Sequence, residues 1–142
     1  MTIYVSSDHR GFELKNKAIE YLKDQKIKDL GPFSYDPKDD YPIFAHKLAE
    51  SVLKDKGSFG ILICDTGLGM DMAVNKHMGI RAALCLDSFF AYRARLHNNA
   101  NVLVLSAEYN KLDFKGIIDT FFTTEPSLES RHKRRVKEID VL

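Results

Sequence analysis

Two cysteines in 142 residues, Cys64 and Cys85, form neither a disulfide framework nor a CxxC metal or redox motif. Any chemistry they carry is individual. Charge of one sign is missing too. The 21 basic and 20 acidic residues give a formal net charge of +1, so no overall field favours nucleic acid or a membrane. Long apolar runs are absent: "FGILIC" and "IRAALCL" fall far short of a membrane span, and "MTIYVSSDHR" lacks the apolar core of a signal peptide. These absences predict a cytoplasmic protein with no membrane or nucleic-acid partner. No internal repeat, low-complexity segment or long linker interrupts the chain, and an apolar fraction of 44% suits a single domain over residues 1–142.

What is present is an alternation of short β-rich runs with segments of helical period. "TIYVS" (2–6) precedes "FELKNKAIEYLKD", where Leu14, Ala18, Ile19 and Leu22 make one apolar face. A strand near "KIKDL" and the polar loop "GPFSYDPKDDYP" follow, with Pro42 placed to open the helix "IFAHKLAESVLK". Next come strand 59–63, a glycine loop, a helix from about Met70, strand 80–86, helix 88–97, strand 101–105, helix 112–122 and a basic terminal helix. The central strands lack polar alternation. The pattern predicts a doubly wound, Rossmann-like α/β fold: five parallel strands with helices on both faces and right-handed crossovers.

"GILICDTGLGM" places Cys64 at the end of a buried strand, with Thr66, Gly67 and Gly69 directly behind it. Ligands of open parallel sheets bind at that edge. The glycines let backbone N–H groups converge, and the following helix adds its own free N–H groups, so the loop can form an anion-binding nest. A thiolate there is expected to be stabilised, drawing the Cys64 pKa toward neutrality. The loop matches no nucleotide fingerprint, and a small buried residue before an ordinary βα turn explains Cys64 equally well. Two further groups are expected at the same edge. "SSDHRG" supplies Asp8 and His9, and "RLHNNANV" supplies His97, Asn98 and Asn99. Helix capping is the alternative for Asp8 and for Asn99. Cys85 reads as core. "RHKRRVK" puts Arg131 and Arg135 four residues apart, on one helix face, where both can grip an anion. A solvated basic face is the plainer reading of that run.

"SDHRGFELK", "DDYP", "GILICDTGLGM" with "NK", "GIRAAL", "HNNANVL" and "RHKRRV" occur in this order from residue 7 to 136. Together they resemble the sugar-phosphate isomerases of the ribose-5-phosphate isomerase B type, a family that includes the galactose-6-phosphate isomerase subunits. The resemblance implies a homodimer or dimer of dimers with shared sites, no metal or organic cofactor, and a phosphorylated sugar as substrate. The implied reaction interconverts ribose 5-phosphate and ribulose 5-phosphate through an enediolate. Cys64 is then the base, and the N–H groups of Gly67, Gly69 and Met70 hold the enediolate oxygen. His97, assisted by Asp8 and Thr66, opens the sugar ring. Tyr41 packs against the sugar, Asn98 holds its hydroxyls, Asp65 lies against it, and His9, Arg131 and Arg135 hold the phosphate. Allose or galactose 6-phosphate is the alternative substrate, and a non-catalytic sugar-phosphate-binding module is the alternative of another class.

Three residues depart from the pattern. Asp65 stands where most members carry glycine, Asp71 where a small polar residue is usual, and Glu108 where many place a phosphate-binding arginine. If position 65 requires a positive φ, aspartate tolerates it better than most residues, and its carboxylate is expected to point away from the anion site or to meet a cation such as Lys76. Lys111 is the expected substitute for the missing arginine.

Overall fold

In the computed structural model, which describes residues 1–141, five strands make one all-parallel sheet. The end of the expected domain, Leu142, lies outside the described residues. The elements run β1 (Thr2–Ser7), α1 (Phe12–Tyr21), β2 (Lys26–Asp29), α2 (Tyr41–Lys54), β3 (Phe59–Cys64), α3 (Leu68–Val74), β4 (Ala82–Leu84), α4 (Ser88–Asn98), β5 (Val102–Ser106), α5 (Phe114–Thr123) and α6 (Ser130–Ile139). Their order in the sheet is β2-β1-β3-β5-β4. The three inner strands β1, β3 and β5 are buried almost throughout, with apolar centres, whereas the edge strand β2 alternates exposed with half-buried positions. No helix among the described residues is long and apolar enough to cross a membrane.

The pleat divides the core in two. Ile61 and Ile63 point to one face with Ile3, Val5, Leu103 and Leu105, against Ala18 of α1, Ala91 and Ala94 of α4, and Ile117, Ile118 and Phe121 of α5. Leu62 and Cys64 point to the other with Tyr4, Val102 and Val104, against Ala45, Leu48 and Val52 of α2 and Met70 and Val74 of α3. Alternation of period two therefore commits Cys64 to the α2 and α3 face. Helix α6 packs on α4, on the opposite side.

Several boundaries shift from the sequence expectation. Helix α2 begins at Tyr41, with Pro42 in its first turn, where a missing N–H costs nothing. Strand β4 is three residues long, not seven. It is an edge strand paired only with β5, and the Arg81 N–H ahead of it donates to the Asn101 side chain (2.8 Å) instead of a neighbouring strand. Lys15 is buried completely, its ammonium held by both Asp29 carboxylate oxygens (2.8 Å each) and the Pro32 carbonyl (2.7 Å). That triple contact ties α1 to the end of β2.

Candidate active site

The chain leaves β1 for β2 on one side and returns to β3 on the other, so a crevice opens between the carboxyl ends of β1 and β3. Asp8 and Cys64 flank it. Asp8 is 5% exposed, and its Oδ1 accepts the Gly11 N–H (2.9 Å), closing the turn into α1. Asp8 thus braces the turn ahead of α1 and is not its N-cap, which is Gly11 without a side-chain cap. Burial raises its carboxyl above the ordinary carboxylate range, against the lowering effect of that hydrogen bond.

Cys64 is also 5% exposed, and it lies across from Ser106 in the β3–β5 register. Its carbonyl accepts the Ala107 N–H (2.9 Å), while the Asp65 carbonyl accepts the Glu108 N–H (2.8 Å) and the Ser106 hydroxyl (2.9 Å). The loop is thus pinned before it turns. Gly67 then turns it at φ 85°, a conformation that costs little only for glycine, and the chain enters α3. The Met70 and Gly67 N–H groups lie near the Cys64 sulfur and act to lower its pKa. The expected drop in its pKa does not follow. Burial outweighs those two donors and pushes the thiol above its ordinary value, with the nearby Asp8 and Asp65 carboxylates adding to the rise. Gly69 allows a close approach: a Cβ there would lie 2.6 Å from the Tyr41 ring, which brings Tyr41 over the loop as the reading of "DDYP" requires.

Thr66 is exposed, and its Oγ1 accepts the Leu68 N–H (3.2 Å), supporting the turn. Two clefts flank this stretch. One, of about 590 Å³, is lined by His9, Arg10, Tyr35, Asp65 and Glu108; the other, of about 450 Å³, by Thr66, Leu68, Leu84, Ser106, Glu108 and Tyr109. His9 is held by Asp39, whose Oδ1 lies 2.6 Å from the ring Nδ1.

Asp65 meets a cation, one of the two ways out expected for it. Asp65 has no positive φ, since Asn99 is the one non-glycine residue with that conformation among those described. Its cation is Arg10, at 3.3 Å from Nε to Oδ1, and not Lys76. The carboxylates of Asp65 and Glu108 both raise the pKa of the Arg10 guanidinium, behind the hydrogen bond to Asp65 as the largest cause. Arg10 is the site residue that the sequence reading missed. The signal available was the pairing of an extra cation in "DHRG" with an extra carboxylate in "CDTG", 55 residues apart.

Asp71 sits in the first turn of α3, where burial pushes its carboxyl up to about 6 despite a hydrogen bond from the Leu84 N–H. A carboxyl raised above its unfolded value of 3.8 binds its proton more tightly in the folded chain. Its stability contribution is therefore full below about pH 4 and is lost as pH rises through about 6. Asp71→Asn, which keeps an acceptor for Leu84, is expected to raise the melting temperature at about pH 8 and to lose most of that advantage at about pH 4. Thermal melts at both pH values check this. An equal shift at both would dismiss the buried charge as the cause.

His97, Asn98, Arg131 and Arg135 are not in this crevice. The expectation that "RLHNNANV" shares the sheet edge with Cys64 is wrong, because residues ahead of a parallel strand lie at its amino edge. His97 is in the last turn of α4, just before β5 begins at Val102, whereas Cys64 aligns with Ser106 at the other end of β5. The sheet height between them is about 13–17 Å at ~3.3 Å per residue, and α4 packs on the face opposite to Cys64. Around His97 a second group assembles. Its ring stacks on His132 at 4.4 Å and 8°, and Arg93 donates to its Nε2 at 3.1 Å. Burial, His132, Arg93 and Arg131 lower its pKa, in that order, so the ring is neutral near pH 7. Arg131 and Arg135 project from the exposed face of α6, Arg131 bonded to Glu129 at 2.6 Å. Asn98 is exposed beside His97, and Asn99 takes the αL conformation that ends α4, as the capping reading expects. Cys85 is core, with burial pushing its thiol up to about 12.

The candidate residues therefore fall into two groups, one at each edge of the sheet. Residues 3–139 match the family model described as Ribose/Galactose Isomerase. A probable ribose-5-phosphate isomerase B of Mycoplasma pneumoniae is 46% identical over 141 residues, 96% of this chain and 91% of the relative. The crystal structure of a ribose 5-phosphate isomerase from Thermotoga maritima superposes with a TM-score of 0.90 at 47% identity, covering 98% of this chain and 97% of the other. Ribose-5-phosphate isomerase B of Mycoplasma genitalium, solved with bound ribulose-5-phosphate, gives a TM-score of 0.90 at 42% identity over 98% and 93% of the two chains. With the family model spanning nearly its whole length and these identities along it, the chain belongs to the ribose/galactose isomerase family of enzymes.

Proposed function

We propose that this enzyme interconverts ribose 5-phosphate and ribulose 5-phosphate, with Cys64 as the base. The observation that carries the reading is the buried Cys64 sulfur at the crevice, faced by the N–H groups of Gly67 and Met70 and flanked by Asp8. The similarity to a relative solved with ribulose-5-phosphate supports the pentose.

The chemistry follows from where the groups stand. The thiolate takes the proton from C2 of the open aldose, and the electron pair of that C–H bond moves toward the C1 carbonyl. The resulting enediolate places negative charge on oxygen beside the glycine loop, where the Gly67, Gly69 and Met70 backbone supplies donors. The thiol then returns its proton to C1, and transfer of the O2 hydroxyl proton to O1 leaves the ketose, with its carbonyl at C2 and a hydroxyl at C1. Because burial raises the thiol pKa, little thiolate is present at neutral pH, and each thiolate that forms is a strong base. Asp8 stands next to the sulfur to relay hydroxyl protons, and Thr66 at the mouth of the loop assists. Tyr41 packs on the sugar over Gly69, and Asp65 is drawn toward Arg10, reducing its repulsion of the substrate. Arg10 is also the nearer answer to the arginine absent at position 108, in place of Lys111.

Ring opening and phosphate binding need the second group of residues. Within one chain these residues lie across the sheet from Cys64, which supports a two-fold dimer in which the partner's His97, Asn98, Arg131 and Arg135 complete each site. His97, neutral near pH 7, accepts the anomeric hydroxyl proton. Arg131 and Arg135, one turn apart, hold the phosphate together with His9 from the base side. Arg131→Ala or Arg135→Ala is expected to weaken ribose 5-phosphate binding by about 1.5–3 kcal/mol, the scale of a hydrogen bond to a charged group, and to leave binding of unphosphorylated ribose unaffected. Equal loss for both sugars would make these arginines structural. A turnover assay across pentose and hexose phosphates tests the reading itself: ribulose 5-phosphate formation is expected, and faster turnover of allose or galactose 6-phosphate would reassign the substrate.

A further inference from the structure

Asp39, in the loop before α2, has a side chain only 9% exposed, and one of its oxygens does two jobs. Oδ1 accepts the His9 backbone N–H at 3.1 Å and meets the His9 ring Nδ1 at 2.6 Å. An oxygen that accepts the backbone N–H at this distance is a carboxylate acceptor for the ring as well, so Nδ1 carries the hydrogen. The second oxygen, Oδ2, is buried without a hydrogen-bond partner. A buried carboxylate left half-satisfied is costly, and the charge has one cationic outlet here, the His9 ring. Asp8 also lies in the cluster: one carboxyl oxygen from each of Asp8 and Asp39 and one ring nitrogen of His9 lie within 4.8 Å of one another. Tyr35 closes the group, its ring edge-on to His9 at 5.9 Å.

We propose that Asp39 is a positioning residue for the isomerase: by holding both the backbone and the ring of His9 on a single oxygen, it turns Nε2 toward the cleft that His9, Arg10 and Tyr35 line. The effect is on tautomer and direction. With the hydrogen on Nδ1 committed to Asp39, Nε2 is the nitrogen left for the substrate. A second proton on Nε2 makes the ring an imidazolium that donates to a phosphate oxygen, and Asp39 compensates its charge from behind. The arrangement adds a fixed donor on the base side of the site without adding a flexible cation. Asp39 does not touch the sugar in this scheme. The proposal rests on the reading of His9 as a phosphate contact.

The test compares Asp39→Ala, Asp39→Asn and His9→Gln by steady-state kinetics with ribose 5-phosphate and by nitrogen NMR of the His9 ring. Asp39→Ala is expected to raise KM about tenfold or more while kcat changes much less, consistent with losing one charge-assisted contact. The wild-type ring is expected to show a protonated Nδ1, and Asp39→Ala to move the hydrogen toward Nε2. Asp39→Asn keeps the shape of the buried side chain and a neutral acceptor; it is expected to raise KM by a smaller factor, and it serves if the alanine variant fails to fold. An unchanged KM in a folded variant, or a raised KM with unchanged ring nitrogen signals, overturns the proposal. The second result would mark Asp39 as a loop support only. If His9→Gln leaves KM at the wild-type value, the phosphate role of His9 falls, while the nitrogen signals still report whether Asp39 holds the ring.

Discussion

Cys64→Ala is expected to fold, to bind ribose 5-phosphate and to lose kcat by about 10²–10⁴, the usual range for a positioned acid–base group. The substitution removes one atom from a site already walled by Met70, Val104 and Leu62, so the cavity is small and the packing survives. What disappears is the sulfur beside the Gly67 and Met70 N–H groups. The same burial sets the pH dependence. A base works deprotonated, and its raised pKa moves the rising limb of kcat against pH upward from where an ordinary thiol would place it. Turnover should therefore climb through the alkaline range in the wild type. Alkylation of the thiol should inactivate, with bound substrate protecting. Cys85→Ala is the control: its sulfur lies in the core on the other sheet face, and turnover should be nearly intact. Wild-type kcat in Cys64→Ala would remove the residue from the mechanism.

The second large effect is a recovery. Cys64→Ala and His97→Ala, each nearly inactive as a homodimer, are unfolded together in equal amounts and refolded so that subunits pair at random. About half of the dimers should then be mixed, each holding one doubly mutated site and one site without a mutation, by the symmetry of a two-fold interface. Activity should return to roughly one quarter of the wild-type value on that count. Mixing without subunit exchange should give none. The expectation stems from the separation of the two groups of residues by the height of the sheet and by its two faces. Refolded mixtures of well-folded dimeric variants that stay inactive would place Cys64 and His97 in one chain's site.

Much of the fold was legible because its signals are local. The apolar centres of β1, β3 and β5 read as strands covered on both faces, and the glycines after Cys64 read as a strand-to-helix turn, because period and turn chemistry act over a few residues. Boundaries moved where pairing decided them. "IRAALCL" reads as a seven-residue strand, but an edge position lets only Ala82–Leu84 join the ladder. In the site, the capping role of Asn99 and the core position of Cys85 were also within reach of local rules.

By itself the amino-acid sequence determined the doubly wound parallel sheet, the glycine turn behind Cys64 and, through six ordered motifs, the family. The tertiary structure alone decided three things. It set the ionisation of Cys64, since desolvation depends on the whole wall of α2 and α3 around the sulfur and outweighs two local N–H donors. It chose Arg10 as the partner of Asp65 and Asp39 as the holder of His9, contacts that span 55 and 30 residues of chain. It also placed His97 and the α6 arginines at the far edge of the sheet from Cys64. A motif records the order of residues along the chain, whereas the direction of each strand settles which end of the sheet a residue occupies.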